Sequence, residues 1–232
     1  MTAGPRKASP AGFRLISPDL QQTMNLSTCG FTQNAGILYH TWSEAIKSGI
    51  NGLPAKSPGF PKYITERPAT VELRAQAGHW EVDTVLSRQS KACAAVLVER
   101  KSRFFMVIGM KDKTASAMHE AVTQALLDLP AGLRRTVTYD NGLENALHER
   151  TNTDFGVTSY FCKPCHSWEK GSIENRNGIL RRYFPKNHNW RLTTQKEIDI
   201  VVNKINATPM KCLGFKTPAE VFAKCAGVAL AG

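Results

Sequence analysis

The amino-acid sequence predicts an α/β fold, a five-stranded mixed sheet flanked by helices. Two observations carry that class. Three strand-like segments follow one another between Trp80 and Met110 with a short polar break, as in an antiparallel meander. After them, segments of helical period alternate with two short β-branched strands, giving the order β-β-β-α-β-α-β-α.

Taken in order, residues 1–63 are rich in Pro, Gly, Ser and Thr, with brief periodicity around Ile37-Leu38, Trp42 and Ala45-Ile46 before Gly49. Pro54, Pro58 and Pro61 make the end of this segment an irregular linker. From Ile64 the pattern becomes orderly. Trp80 to Leu86 alternates as a strand, and Ala94–Glu99 and Phe104–Met110 are two more, joined by Arg100-Lys101-Ser102-Arg103. Ala115, Met118, Val122, Leu126 and Leu129 fall at helical spacing until Pro130. Thr136–Tyr139 is a β-branched strand stopped by the turn residues Asp140-Asn141-Gly142. A helix over Glu144–Arg150, a fifth strand over Val157–Phe161 and a helix over Lys170–Arg182 follow. The last helices are Thr194–Asn206 and Pro218–Cys225, the latter with Thr217 as N-cap and Pro218 at its first position. The expected organisation is an irregular, truncated N-terminal segment and linker over 1–63, a core over 64–190, and C-terminal helices over 191–232 that complete it.

The 232 residues carry a formal charge of +11 and a pI near 9.5, which favours a polyanionic partner, and DNA is the intracellular candidate. Between Phe161 and Arg191 the cations Lys163, Lys170, Arg176, Arg181, Arg182, Lys186 and Arg191 face only Glu169 and Glu174. Trp168, Tyr183, Phe184 and Trp190 are interleaved with them, so cations would contact phosphates and rings could stack on unpaired bases. Apolar runs such as Ala92–Val98 are too short to span a bilayer, and no apolar stretch follows the basic N-terminus as in a secretory signal. Cys162, Cys165 and His166 invite a zinc reading, but no second ligand pair lies at finger spacing, and reduced, unligated thiols are expected.

Three carboxylates stand where such a layout brings them together. Asp83 lies mid-strand beside Val82, Val85 and Leu86, where a charge needs a cation or hydrogen-bond donors. Asp140 ends a strand, at the carboxyl edge where open α/β sheets bind ligands. Glu174 opens a helix in the most basic segment. Taken singly, each could be a solvated surface group. Converging in basic surroundings, they suit hard cations, and two such ions can serve an in-line phosphoryl displacement. Glu174, Asn177 and Arg181 share one helical face, which suits metal ligation beside a phosphate track. Trp80 and His79 read as core and as a hydrogen-bonded positioning residue.

Several motifs are similar to those of the IS-thirty family of insertion-sequence transposases. Gly78-His79-Trp80-Glu81-Val82-Asp83-Thr84-Val85 resembles that family's first catalytic motif, and Leu97-Val98-Glu99-Arg100-Lys101-Ser102-Arg103 its hairpin. Asp140-Asn141-Gly142 resembles the second, and Tyr160–Pro164 with Ser167–Gly171 and Glu174–Gly178 the third. Lys211–Phe222 resembles its C-terminal signature, so the resemblance spans roughly Ile64 to Ala223.

The resemblance implies a ribonuclease H-like core of retroviral-integrase type, with Asp83, Asp140 and Glu174 as catalytic residues and as ligands of two Mg2+ ions, Mn2+ being also acceptable. It implies cleavage of element ends and strand transfer into target DNA, copies assembling on that DNA, and a bacterial cytoplasmic, nucleoid-associated location without a membrane role. Lys163, Lys170, Asn177, Arg181, Arg182 and Lys186 are the expected DNA contacts, and Trp80, Asn141, Gly142 and Trp168 the supporting residues. The family also has an N-terminal helix-turn-helix region, which nothing before Ile64 resembles. Cys165 stands where a tyrosine is expected, and Asn206–Lys211 lacks two expected arginines. The chain is therefore expected to keep the carboxylates without recognising specific ends by itself. The alternatives are a truncated, inactive remnant or DNA-binding regulator of transposition, and a metal nuclease without strand transfer.

Overall fold

The alternating segments become five strands: β1 (His79–Val85), β2 (Cys93–Glu99), β3 (Phe105–Met110), β4 (Thr136–Tyr139) and β5 (Thr158–Phe161). The computed structural model describes residues 62–163 and 170–230, so the expectations for residues 1–61, Cys165 and Trp168 lie outside the described residues. In the sheet the order is β3-β2-β1-β4-β5. The first three strands form the antiparallel meander, whereas β4 lies parallel to β1 and β5 parallel to β4.

Among the described residues six α-helices accompany the sheet: α1 (Ala69–Glu72), α2 (Ala115–Leu126), α3 (His148–Phe155), α4 (Gly171–Leu180), α5 (Gln195–Asn206) and α6 (Pro218–Leu230). Side-chain caps set the starts of α2, α5 and α6. The Thr114 hydroxyl accepts from the Ala117 amide at the head of α2, and Thr194 and Glu197 form a reciprocal capping box on α5. Thr217 and Glu220 exchange the same pair of bonds at the head of α6.

Both sheet faces are covered, which explains why all seven residues of β2 are buried. Trp80 and Val82 of β1 point with Ala95 and Leu97 of β2 toward α2 and α6, where Met118, Val122, Leu126 and Phe222 meet them. Val85, Val96, Val98 and Phe105 point the other way, toward Ile173 and Leu180 of α4 and Ile198, Val202 and Ile205 of α5. Successive strand residues serve opposite faces, so Glu81 and Asp83 fall on the α4 side with Val85.

The helix expected over Glu144–Arg150 is a correction. Residues Leu143–Asn145 form a single 3-10 turn, and α3 begins only at His148 and closes at Gly156 in the left-handed conformation (φ 65°). The cause is tertiary. Glu144 and Asn145 are buried and bonded to groups outside their own segment, which pulls the backbone into a tighter turn. The final helix runs on to Leu230, past the expected Cys225.

The outer edge of β3 is occupied by side chains of α5. Asn206 accepts from the Phe105 amide at 2.9 Å and donates to the Phe105 carbonyl at 2.7 Å. Gln195 accepts from the Gly109 amide at 3.0 Å and donates to the Val107 carbonyl at 2.8 Å.

One buried ion pair ties several elements together. Glu81, 0% exposed, pairs with the guanidinium of Arg100 from the β2–β3 turn, and its second oxygen accepts from the Ile173 amide of α4 at 3.0 Å. Arg100 also lies 3.0 Å from Glu72 of α1. Arg100→Met is expected to destabilise the fold by about 3–5 kcal/mol, because it leaves Glu81 charged and uncompensated, whereas Glu81→Leu with Arg100→Met recovers much of that loss. Chemical denaturation of the two variants beside the parent checks both outcomes.

Candidate active site

The parallel register places the first two candidate carboxylates. His79, Trp80 and Glu81 of β1 pair with Thr136, Val137 and Thr138 of β4. Continued two residues further, that register sets Asp83 level with Asp140 and on the same face, since both lie an even number of steps from the Glu81–Thr138 pair. Both then stand toward the carboxyl ends of adjacent parallel strands.

A single cation joins them. The Lys170 ammonium lies 3.3 Å from Asp83 Oδ1 and 3.6 Å from Asp140 Oδ2, and donates to the Val82 carbonyl at 3.1 Å. It is thus hydrogen-bonded to Asp83 and Val82 and ion-paired with Asp140, and the residue is only 3% exposed. Burial alone would lower the Lys170 pKa, but Asp83 and Asp140 more than reverse this, so it stays above the usual lysine value.

Each aspartate is also held by an amide. Asn177 of α4 donates to Asp83 Oδ2 at 2.6 Å. Asn145 donates to Asp140 Oδ1 at 2.8 Å and to its backbone carbonyl at 3.1 Å. The side-chain oxygens of both asparagines are buried without a hydrogen-bond partner among the described residues. Hard carboxylate oxygens already converging on one positive charge, beside two amide oxygens with unused lone pairs, fit a hard divalent cation such as Mg2+ or Mn2+.

A further carboxylate lies beneath the turn. Glu144, 5% exposed, accepts from Lys113 at 2.8 Å and from the Thr84 hydroxyl at 3.3 Å. Burial disfavours the charged form of Lys113, yet Glu144 and then Asp140 and Asp83 raise its pKa overall. A Cβ on Gly142 would sit 2.3 Å from Glu144 Oε2, so a larger residue there would push the Glu144 carboxylate aside.

Glu174 stands apart from this pair. It is exposed on α4, one residue past Ile173, whose amide is bound by Glu81. Among the described residues no three His, Cys, Asp or Glu side chains are grouped closely enough to hold one metal ion. The expected trio is therefore a gathered pair, Asp83 and Asp140, with Glu174 on the helix beside them.

The expected DNA contacts divide. Lys163 and Lys186 are exposed and Arg182 is half-buried. Arg181 is half-buried and donates to the Leu86 carbonyl at 2.7 Å, and burial lowers its pKa despite the nearby charge of Asp83. Lys170 differs from the rest, its ammonium being turned inward onto the aspartates. Phe184 and Trp190 are a second correction, since both are buried in the α4–α5 core with ring centroids 4.9 Å apart. Trp80 is core, its indole donating to the Leu133 carbonyl at 2.8 Å. Asn141 ties the end of β4 to β5 by donating to the Cys162 carbonyl at 2.7 Å. Asn145, Glu144 and Lys113 were not legible as site residues, because only the folded turn brings them to Asp140.

His79 is neutral and structural. Its Nδ1 lies 2.9 Å from the Thr136 hydroxyl, and burial, then the charges of Arg135, Arg100 and Arg67, push its pKa down to about 4.

The sheet order, with two aspartates meeting at the ends of its adjacent parallel strands, is that of the ribonuclease H-like fold of retroviral-integrase type. A chain of the simian T-cell lymphotropic virus intasome in complex with PP2A regulatory subunit B56 gamma shares the fold, with a TM-score of 0.53 and 19% identity over 73% of this chain and 59% of that one. Within that class the chain belongs to the IS30 family of insertion-sequence transposases. It is 39% identical over 181 residues to transposase InsI for insertion sequence element IS30A of Escherichia coli strain K12, covering 78% of this chain and 44% of that protein. It is 39% identical over 161 residues to the transposase for insertion sequence element IS1086 of Cupriavidus metallidurans, covering 69% and 48%. The chain spans less than half the length of these curated relatives. No protein-family model matches. Among the described residues no helix is long and apolar enough to cross a membrane.

Asn145→Ala removes both bonds to Asp140 and should cost about 1–3 kcal/mol in denaturation experiments. His79 has a folded pKa of about 4 against an ordinary value of 6.5. The unfolded chain therefore binds more protons between those values, and the stability that neutral His79 provides is lost as pH falls through that window. Melting temperature measured against pH should fall less steeply there for His79→Gln than for the parent.

Proposed function

We propose that this chain carries the catalytic core of a DNA transposase, with Asp83, Asp140 and Glu174 as the ligands of two divalent ions, Mg2+ or Mn2+. The observation that carries this reading is the meeting of Asp83 and Asp140 about one positive charge at the ends of adjacent parallel strands. The two relatives named above, both longer proteins, are transposases by name, which favours DNA as the substrate.

Each residue has a part in this reading. Asn177 and Asn145 each donate to one carboxylate and restrain it, leaving the other oxygens of Asp83 and Asp140 on the side of the Lys170 ammonium. The bond from Ile173 to Glu81 fixes the first turn of α4 and with it the backbone of Glu174. Two ions held there would activate the attacking oxygen and stabilise the leaving oxygen of an in-line displacement. Water would first break a phosphodiester at the element's end and leave a 3′-hydroxyl. That hydroxyl would then attack a target phosphorus, forming one P–O bond as another breaks, with the displaced 3′-oxygen taking up the proton. Lys163, Arg182 and Lys186 would track the DNA backbone, supported by the net charge of +11. Arg181 and Asn177 would lie nearest the scissile phosphate. Copies of the chain would assemble on element ends and target DNA in the bacterial cytoplasm.

The test is cleavage and strand transfer on labelled element-end DNA with Mg2+ or Mn2+. Asp140→Asn is expected to reduce products by on the order of 10³-fold or more while leaving DNA binding intact, because several kcal/mol of transition-state charge stabilisation would be lost. Equal activity of Asp140→Asn and the parent would overturn the assignment.

A further inference from the structure

We infer that Lys170 is a built-in counter-ion which holds Asp83 and Asp140 together until a divalent ion takes them, and which must give way for that ion to bind. The inference rests on the metal-site reading of the two aspartates and adds to it a residue that opposes loading.

Four features of the structure support it. The ammonium lies between the carboxylates, 3.3 Å from one and 3.6 Å from the other. It donates to Asp83 and to the Val82 carbonyl, at 3.3 and 3.1 Å, and stands in ion-pair range of Asp140, so three acceptor groups surround it. The side chain is 4% exposed, against 24% for Asp83 and 44% for Asp140, so the cation is the buried member of the trio. A strongly hydrated ammonium is not buried without carboxylate partners, and these two supply what makes its position tolerable. Finally, Glu174 remains outside the pair. One ammonium satisfies two carboxylates at close range, whereas a third carboxylate has no charge left to draw it in.

The consequence is competition. A divalent ion bridging Asp83 and Asp140 at the ligand distances of Mg2+ would stand within a few ångströms of the Lys170 nitrogen, and like charges at that range repel strongly in a half-buried site. Lysine suits such a role because its charge rides on a flexible four-carbon stem and can swing away without moving the backbone. Lys170 sits at the N-cap position of α4, so the chain that releases the aspartates is the chain that carries Glu174 four residues on.

The experiment measures Mn2+ binding to the full chain without DNA, by the electron paramagnetic resonance signal of free Mn2+, for the parent, Lys170→Met, Lys170→Gln and Asp83→Asn. Lys170→Met and Lys170→Gln are expected to bind Mn2+ about tenfold more tightly or better than the parent. Both should also melt lower than the parent in chelator and recover when Mn2+ is added. Equal or weaker Mn2+ binding by the folded variants would overturn the inference. In the parent itself, amine acetylation read by mass spectrometry should find Lys170 protected in chelator and reactive at saturating Mn2+. Protection unchanged by bound Mn2+ would overturn the inference even if neither variant folds. Asp83→Asn separates the two ideas. If it binds Mn2+ as the parent does, the metal-site reading fails; if it alone loses binding and the Lys170 variants match the parent, only the role of Lys170 fails.

Discussion

The buried carboxylate of Glu81 is the constraint around which the rest is arranged. It lies on the inner side of the central strand β1, where a charge without a partner is untenable, and Arg100 answers it from the β2–β3 turn. The pair does more than neutralise itself. Its spare oxygen receives the Ile173 amide, one of the orphan donors at the head of α4, and its guanidinium reaches Glu72 of α1. One interaction thus fixes how the helix bearing Glu174 approaches the strand bearing Asp83. Because strand side chains alternate, the next residue on that face after Glu81 is Asp83 itself.

Around the candidate site the charge balance is opposite to that of the whole chain. The molecule has a formal charge of +11, yet Asp83, Asp140 and Glu144 gather at the end of the parallel strands. Each is answered by a lysine, the buried Lys170 for the aspartates and the exposed Lys113 for Glu144. Lys170 therefore does not add to the outward positive field, whereas Lys163, Arg182 and Lys186, exposed or half-buried, do.

Much of the fold was legible in the sequence because period and β-branching reflect burial directly. Thr136–Tyr139 was placed residue for residue, and the meander strands within a residue at most ends. Strand order was not legible, since the insertion of β4 beside β1 depends on a crossover through α2 and on packing between distant segments. The helix misplaced after Asp140 shows the same limit, because Asn145 bends its own backbone to reach Asp140. Asp83 and Asp140 were readable from position alone: one charge in an apolar strand, one at a strand end. The burial of Lys170 was not legible for a physical reason. A lysine amid other cations looks like surface, and only the fold reveals that its partners are two carboxylates thirty and eighty-seven residues away.

The covering of β3 has a consequence for how copies of the chain can meet. Asn206 and Gln195 place amide groups on the outward backbone of Phe105, Val107 and Gly109, imitating a sixth strand with side chains alone. An open sheet edge invites continuation by a neighbour's backbone, which is the usual route to domain swapping and fibrous aggregation. Here that invitation is withdrawn along half the meander. Association on this side of the molecule is thereby left to contacts that depend on side-chain identity, and so to surfaces that mutation can tune.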